Sequence, residues 1–392
     1  MNIVFYRYKS ICEPDFIDAF KALGIDVIED RDGIASTLSV DEKINHLGNM
    51  LFDHKPLFVF SINYLPFIAL LCEKLHVIYV AVTVDCPVFE IFNTSIRSKF
   101  NRIFLFDQAQ YESIHEENPE CIFHLPLGAA TARLDETLGD TDLYKYDISF
   151  VGSLYNEKDP ILKLLNLPEH ISGIIQQAIE AQLAGDVYGQ KELEKAVDNK
   201  LISALKEHSK DFYPSEMSVF DINGYVALND YLGPHITYLE RVKLLNLIGD
   251  HIPDAELHLF TQSNTSDLSP KVHIHGGVNS LTEMPFVFRQ SKVNLNITTR
   301  SITSGLSQRI WDVLGCKGFL LTNYQPEIDL FFKDGYHLVT YKSHYEMLDK
   351  IRYYMRHEDE RKEIAENGHN AVNQNGSVVN RVIEIIRIIT TN

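Results

Sequence analysis

Four runs in the first third of the chain, "NIVFY", "LFVFSI", "VIYVAVTV" and "RIFLF", leave little choice of architecture. Each is strand-length, rich in β-branched and aromatic residues, and apolar at consecutive positions rather than alternate ones. Strands of that kind are covered on both faces, the condition of a parallel sheet. Parallel neighbours need a crossover, and "FIDAFKALG" between two of the runs reads as such a helix, closed by Gly24. A second series opens at "ISFVGSLYNEKDP". It continues through "YLERVKLLNLIGDH" as helix and "ELHLFT", "KVHIHGGV" and "KVNLNIT" as strands. A helix over 305–316, the strands "GFLLT" and "HLVTY", and a long helix from about Ser343 complete it. The pattern predicts an α/β protein of two Rossmann-like lobes facing each other across a cleft.

The first lobe is expected over 1–140 and the second over 145–376, with the polar stretch 131–147 as linker. A Leu-, Ala-, Glu- and Lys-rich segment at about 160–210 interrupts the alternation and reads as a helical insertion in the second lobe, suited to acceptor recognition or oligomerisation. "SVVNRVIEIIRIITTN", 377–392, reads as a terminal amphipathic helix expected to pack back on the first lobe.

At 392 residues the chain can bury more than one core, and 45% hydrophobic and 23% charged residues are ordinary globular values. A net charge of −18 leaves no basic surface for nucleic-acid phosphates. The five cysteines are scattered without CxxC spacing, which fits reduced thiols rather than a disulfide framework or zinc site. Arg7 and Lys9 interrupt the first apolar run, so it reads as a strand and not a signal peptide. Region 57–84 is broken by Asn63, Pro66, Glu73, Lys74 and His76, short of the about 20 apolar residues that span a bilayer. A soluble, cytoplasmic protein with no integral membrane segment is expected.

In doubly wound sheets, ligands bind beyond the carboxyl ends of strands, where helix N-termini point. "ITTRSITSGLSQRIWDVLGCKGFLLTN" (297–323) has that form. With a helix starting near Gly305, Leu306, Ile310, Val313 and Leu314 share one side, while Gly305, Arg309 and Asp312 fall within about 60° of each other on another. Ser304 would cap the helix, and Gly305 would let a ligand approach the backbone. Arg309 would grip phosphate oxygens and Asp312 would accept from paired ribose hydroxyls. Arg300 and Thr303 add a second cation and a second hydroxyl. The same spacing also fits an ordinary surface helix with an i,i+3 ion pair. Gly152 and Ser153 in "FVGSLYNEK" form a second strand-to-turn site.

"SGLSQRIWDVLGCKGFLLTNYQPEIDLFFKDGYHLVTYKSHYEMLDKIRYYMRHEDERKEIAENGHNAV" resembles the C-terminal lobe of the CgeB-like, family-1-type glycosyltransferases. The shared pattern is an R-x-x-E/D helix, a strand, a "pe…F..G" turn, a strand, and a long helix ending in "eR..IA..G". The resemblance covers about 145–380 apart from the insertion. "VTVDCPVFE" and "HLPLGA" make the first lobe look like the DUF3880-type domain that precedes it in some members.

The resemblance implies a GT-B fold and transfer of a sugar from a nucleotide-diphosphate sugar, UDP-linked by family likeness, to an acceptor hydroxyl. An O-linked polypeptide such as flagellin, or a glycan, is the acceptor it implies. It assigns Asp312 to the ribose, and the backbone at Gly276 with the ring of His275 to the base. Two departures stand out: Lys317 replaces a small residue, and Ser304 stands where related retaining enzymes often carry Glu. In the first lobe, Asp85 is the candidate general base, followed by His124 and then Asp107. The triplets "DRD" (30–32) and "DTD" (140–142) are discounted as metal sites, because neither follows a buried strand and cationic side chains can carry the phosphate charge. No metal and no cofactor beyond the donor are expected. A nucleotide-sugar epimerase on the same architecture and a non-catalytic sugar-nucleotide-binding protein remain the alternatives.

Overall fold

The computed structural model describes residues 1–34, 37–139 and 143–391, so the "DTD" triplet lies outside the described residues. The chain divides into two compact units, one of residues 1–130, 215–221 and 376–392, the other of residues 131–214 and 222–375.

The first unit holds a six-stranded sheet of β1 (Asn2–Tyr6), β2 (Asp26–Asp30), β3 (Phe58–Ile62), β4 (Ile78–Val82), β5 (Asn101–Leu105) and β6 (Ile122–His124). Its order is β2-β1-β3-β4-β5-β6, with every pairing parallel. Every residue of β3 and β5 is buried, as in strands covered on both faces. β2 and β6 escape a hydrophobicity reading for physical reasons. β2 is an edge strand whose sequence, "DVIED", is mostly acidic, and β6 has only three residues. Phe5 and Phe20 pack on Phe60 at centroid separations of 4.9 and 5.1 Å. The terminal helix Val378–Thr391 lies against the helix Glu13–Ala22 and completes this core, with Val382 and Ile385 fully buried. Arg381 Nε donates to the Leu127 carbonyl at 2.9 Å, tying the helix start to the same unit.

The second unit is another six-stranded parallel sheet of β7 (Tyr146–Val151), β8 (Leu257–Phe260), β9 (Val272–His275), β10 (Ser291–Asn296), β11 (Leu320–Asn323) and β12 (Val339–Tyr341). Its order is β12-β11-β10-β7-β8-β9. Helices Glu169–Ala184, Lys191–Ala196 and Asn199–His208 occupy the interrupting segment. The stretch expected as a linker instead carries the helix Thr131–Leu138, with Leu134 and Leu138 buried. It packs against the helix Met284–Arg289, and Arg133 Nη1 donates to the Leu281 carbonyl at 3.2 Å. Two leucines one turn apart anchor it, too short a repeat to register as periodicity. Among the described residues, no helix is long and apolar enough to cross a membrane.

Candidate functional site

Strand order in the second unit reverses at β7, with β8 and β9 on one side and β10 to β12 on the other. Beyond the carboxyl ends of β7, β8 and β9 lies a cavity of about 490 Å³. Gly152 and Ser153 after β7 line it, as do Thr261–Ser263 after β8 and Gly277 after β9, with Glu157, Lys158 and Arg309 as its charged side chains. Gly277 lies close under the Gln262 side chain, so that a Cβ there would sit 2.4 Å from Gln262 Cγ and the glutamine would have to move.

The expected helix starts later than the sequence indicated. It runs Gln308–Gly315 with Ser307, not Ser304, at the N-cap. Ser304 instead donates its hydroxyl to Glu327 Oε1 at 2.8 Å, and the Ser304 carbonyl accepts from the Glu327 amide at 3.3 Å. Thr303, Ser304 and Gly305 are not among the residues lining the cavity.

Arg309, in the first turn, does line it. Its guanidinium carbon stands 5.0 Å from the Phe288 ring centre, and Nη1 is 3.5 Å from Asp312 Oδ2. Burial pulls the Arg309 pKa down, partly countered by Asp312. It is therefore a cation with incomplete compensation, facing a polar cavity. Asp312 also accepts from Gln308 Nε2 at 2.8 Å and is not among the residues lining the cavity.

Arg300 has a different place from the one expected. Only 2% exposed, it makes a two-pronged pair with Glu240 at 2.8 and 2.7 Å and donates to the Asp186 carbonyl at 2.9 Å. Its hydrogen-bonding edge is spent on the unit's own core, which leaves Lys158 and Arg309 as the cavity's cations.

Ser153 gives its hydroxyl to Glu157, and its carbonyl accepts from Arg241 Nη1 at 2.6 Å. Burial would raise the Glu157 carboxyl, yet hydrogen bonds from Ser153, its own backbone and Ser263 hold it below the ordinary value. His275 stacks on Phe260 at 4.5 Å and lies 3.1 Å from His258 through ring nitrogens; burial and the neighbouring His273 lower its pKa. Gly276 is exposed, and it is Gly277 that lines the cavity. Glu157 and Lys158 were in a quoted motif without an assigned role, and Thr261–Ser263 were missed. All follow strand ends, the signal that would have found them.

In the first unit, the sequence candidates gather at the carboxyl edge of the sheet. Asp85, exposed beyond β4, accepts from Asn63 Nδ2 at 2.7 Å, and the same amide donates to the Tyr8 hydroxyl at 3.0 Å. Burial raises the Tyr8 pKa, with the Asp85 charge adding to it. His124 ends β6, its Nε2 3.3 Å from the Phe106 carbonyl. Asp107 is buried and caps the helix Gln108–Ile114 through the Gln110 amide at 3.0 Å, a structural use of that carboxylate.

Residues 241–387 match a family model described as glycosyl transferase-like. No curated protein matches the sequence. Among solved structures, the chain is similar to Anabaena HepE in complex with UDP, at 11% identity and a TM-score of 0.55 over 100% of both chains. It is similar to a glycosyltransferase from Rickettsia africae at 12% identity and a TM-score of 0.53, over 100% of this chain and 99% of that one. UDP-GlcNAc 2-epimerase from Neisseria meningitidis bound to UDP-GlcNAc gives 9% identity and a TM-score of 0.50 over 100% of both chains. The fold is the α/β, two-lobed GT-B architecture. Residues 241–387 thus carry a glycosyl transferase-like segment within a GT-B fold.

Proposed function

We propose that the chain is a CgeB-like, metal-independent transferase that moves a sugar from a UDP-sugar to an acceptor hydroxyl on a polypeptide or glycan. The observation that carries this reading is the cavity beyond β7–β9, where glycine backbone and two cations, Arg309 and Lys158, surround a space of about 490 Å³. A diphosphate would complete the charge balance of Arg309, whose only ion-pair partner among the described residues is Asp312 at 3.5 Å. A pre-oriented guanidinium in a site of reduced dielectric gains most from the charge that grows on the departing diphosphate. Lys158 is oriented too, its Nζ 4.9 Å from the Tyr155 ring centre.

Asp312, which accepts from Gln308 Nε2, is assigned to the ribose hydroxyls. His275 and the backbone beyond β9 are assigned to the base. UDP is favoured because HepE, similar in fold, is seen in complex with it. Asp85, exposed at a strand tip and hydrogen-bonded to Asn63, is the proposed general base, with His124 as the second choice.

Calorimetric titration with UDP, GDP, ADP and CMP tests the reading. UDP should bind most tightly, with an affinity unchanged by EDTA. Failure of every nucleotide to bind would end the proposal. The epimerase reading draws on the fold shared with the Neisseria enzyme. Incubation with UDP-sugar alone separates the two, since only an epimerase converts the sugar without an acceptor.

A further inference from the structure

Among the described residues, one group of His, Cys, Asp or Glu side chains brings its ligand atoms together as a metal site would: Asp30, Asp32 and His46, within 4.8 Å of one another. Asp30 ends β2, Asp32 lies in the turn that follows, and His46 sits on the helix Val40–His54. The Asp30 side chain is fully buried, with Oδ1 accepting the Asp32 amide at 2.9 Å. Its Oδ2 is sealed from solvent with no hydrogen-bond partner, a costly state for a carboxylate oxygen. His46 Nδ1 lies 2.5 Å from Asp32 Oδ2 and 3.9 Å from Asp30 Oδ1.

The group is held in place rather than scattered on a loose acidic loop. Gly33 presses the turn onto β1 so closely that a Cβ would come within 2.4 Å of the Arg7 carbonyl. Nor do the nearby guanidinium groups neutralise it: Arg31, between the two aspartates, pairs with Glu29 at 2.9 Å, and Arg7 pairs with Glu29 at 2.5 Å and Glu13 at 3.0 Å. Burial raises the Asp30 pKa, and the Asp32 charge adds to it. The Tyr6 hydroxyl is pushed up to about 12, by burial first and then by the same two carboxylates. His46 is half exposed, which leaves a path of entry from solvent.

We propose that Asp30, Asp32 and His46 bind one divalent cation, with Zn²⁺ the best fit. Two carboxylates and one imidazole are a hard and borderline donor set that suits Zn²⁺ with a water in the fourth position. Bound there, the ion joins the end of β2 to the helix Val40–His54. The site belongs to the first unit, and its role is to fasten the fold there.

The test uses the full chain, free of any affinity tag and stripped with chelator, titrated with ZnCl₂ and separately with CoCl₂. One ion per chain should bind, Tm should rise with Zn²⁺ concentration, and Co²⁺ should show d–d bands without thiolate charge transfer. His46→Gln, on an exposed helix face, should keep the far-UV circular dichroism of the parent and weaken binding by about 100-fold. Asp32→Asn should weaken it similarly. Absence of saturable binding, binding by either variant as tight as the parent's, or a thiolate band from the cysteines would each overturn the proposal.

Discussion

Arg300 and Arg309 stand nine positions apart in one quoted motif, and the molecule uses them in opposite ways. Arg300 and Glu240 satisfy each other inside the core, so removing one leaves a buried, uncompensated charge. Arg300→Ala should cost about 3–5 kcal/mol in denaturant unfolding. Arg309→Ala should leave stability nearly intact while raising the donor KM and lowering kcat, because diphosphate charge grows as the sugar departs. A full-rate Arg309→Ala enzyme would strip the helix of its proposed role. Asp312→Ala should weaken UDP binding by about 1.5–3 kcal/mol, the scale of a charge-assisted hydrogen bond, and calorimetry reads that directly. Which arginine does which was not legible along the chain, because Glu240 is 60 positions from Arg300 and nothing local announces the pair.

At the scale of elements, the legible parts were those whose environment is uniform along their length. β3, β4 and β5 are almost entirely buried and read as apolar runs. β2 was hidden because edge strands tolerate charge, and the helix Thr131–Leu138 because two leucines suffice to seat it. The helix Gln308–Gly315 was found but begun three residues early. Ser304 and Ser307 are both acceptable caps by residue type, and Ser304 is claimed by Glu327. The terminal helix offers a clean test of packing: Ile385→Ala, at a fully buried position, should destabilise the first unit by about 2–5 kcal/mol, as read by thermal or denaturant unfolding.

For the whole molecule, three depressed carboxyls and two depressed histidines push stability the same way with pH, against the raised carboxyls of Asp30 and Asp230. The carboxyls of Glu240, Asp147 and Glu346 each lie below the ordinary range although burial acts to raise them. Arg300 with His344, Lys292 with the Glu256 amide, and Lys350 with the Lys342 amide overcome it. A depressed folded pKa contributes stability that is fully present above the unfolded value, about 4, and is lost as pH falls through the folded value. His258 and His275 are also depressed, chiefly by burial, so the unfolded chain takes up their protons first as pH drops below about 6.5. Tm should therefore fall from pH 7 to pH 4, beginning in the histidine range and steepening in the carboxylate range. A flat profile across that interval would contradict the assignments.

The sequence by itself determined that the chain forms parallel sheets, that the candidate site residues lie after strands, and that a helix bearing Arg309 and Asp312 follows one such strand. Burial on both faces and helical spacing are local properties, written residue by residue. Only the tertiary structure decided which groups meet: Arg300 with Glu240, Arg309 with the cavity beyond β7–β9, and Asp30 and Asp32 with His46. Side-chain chemistry depends on the charge and burial of neighbours brought from distant positions, and those neighbours exist only once the chain has folded.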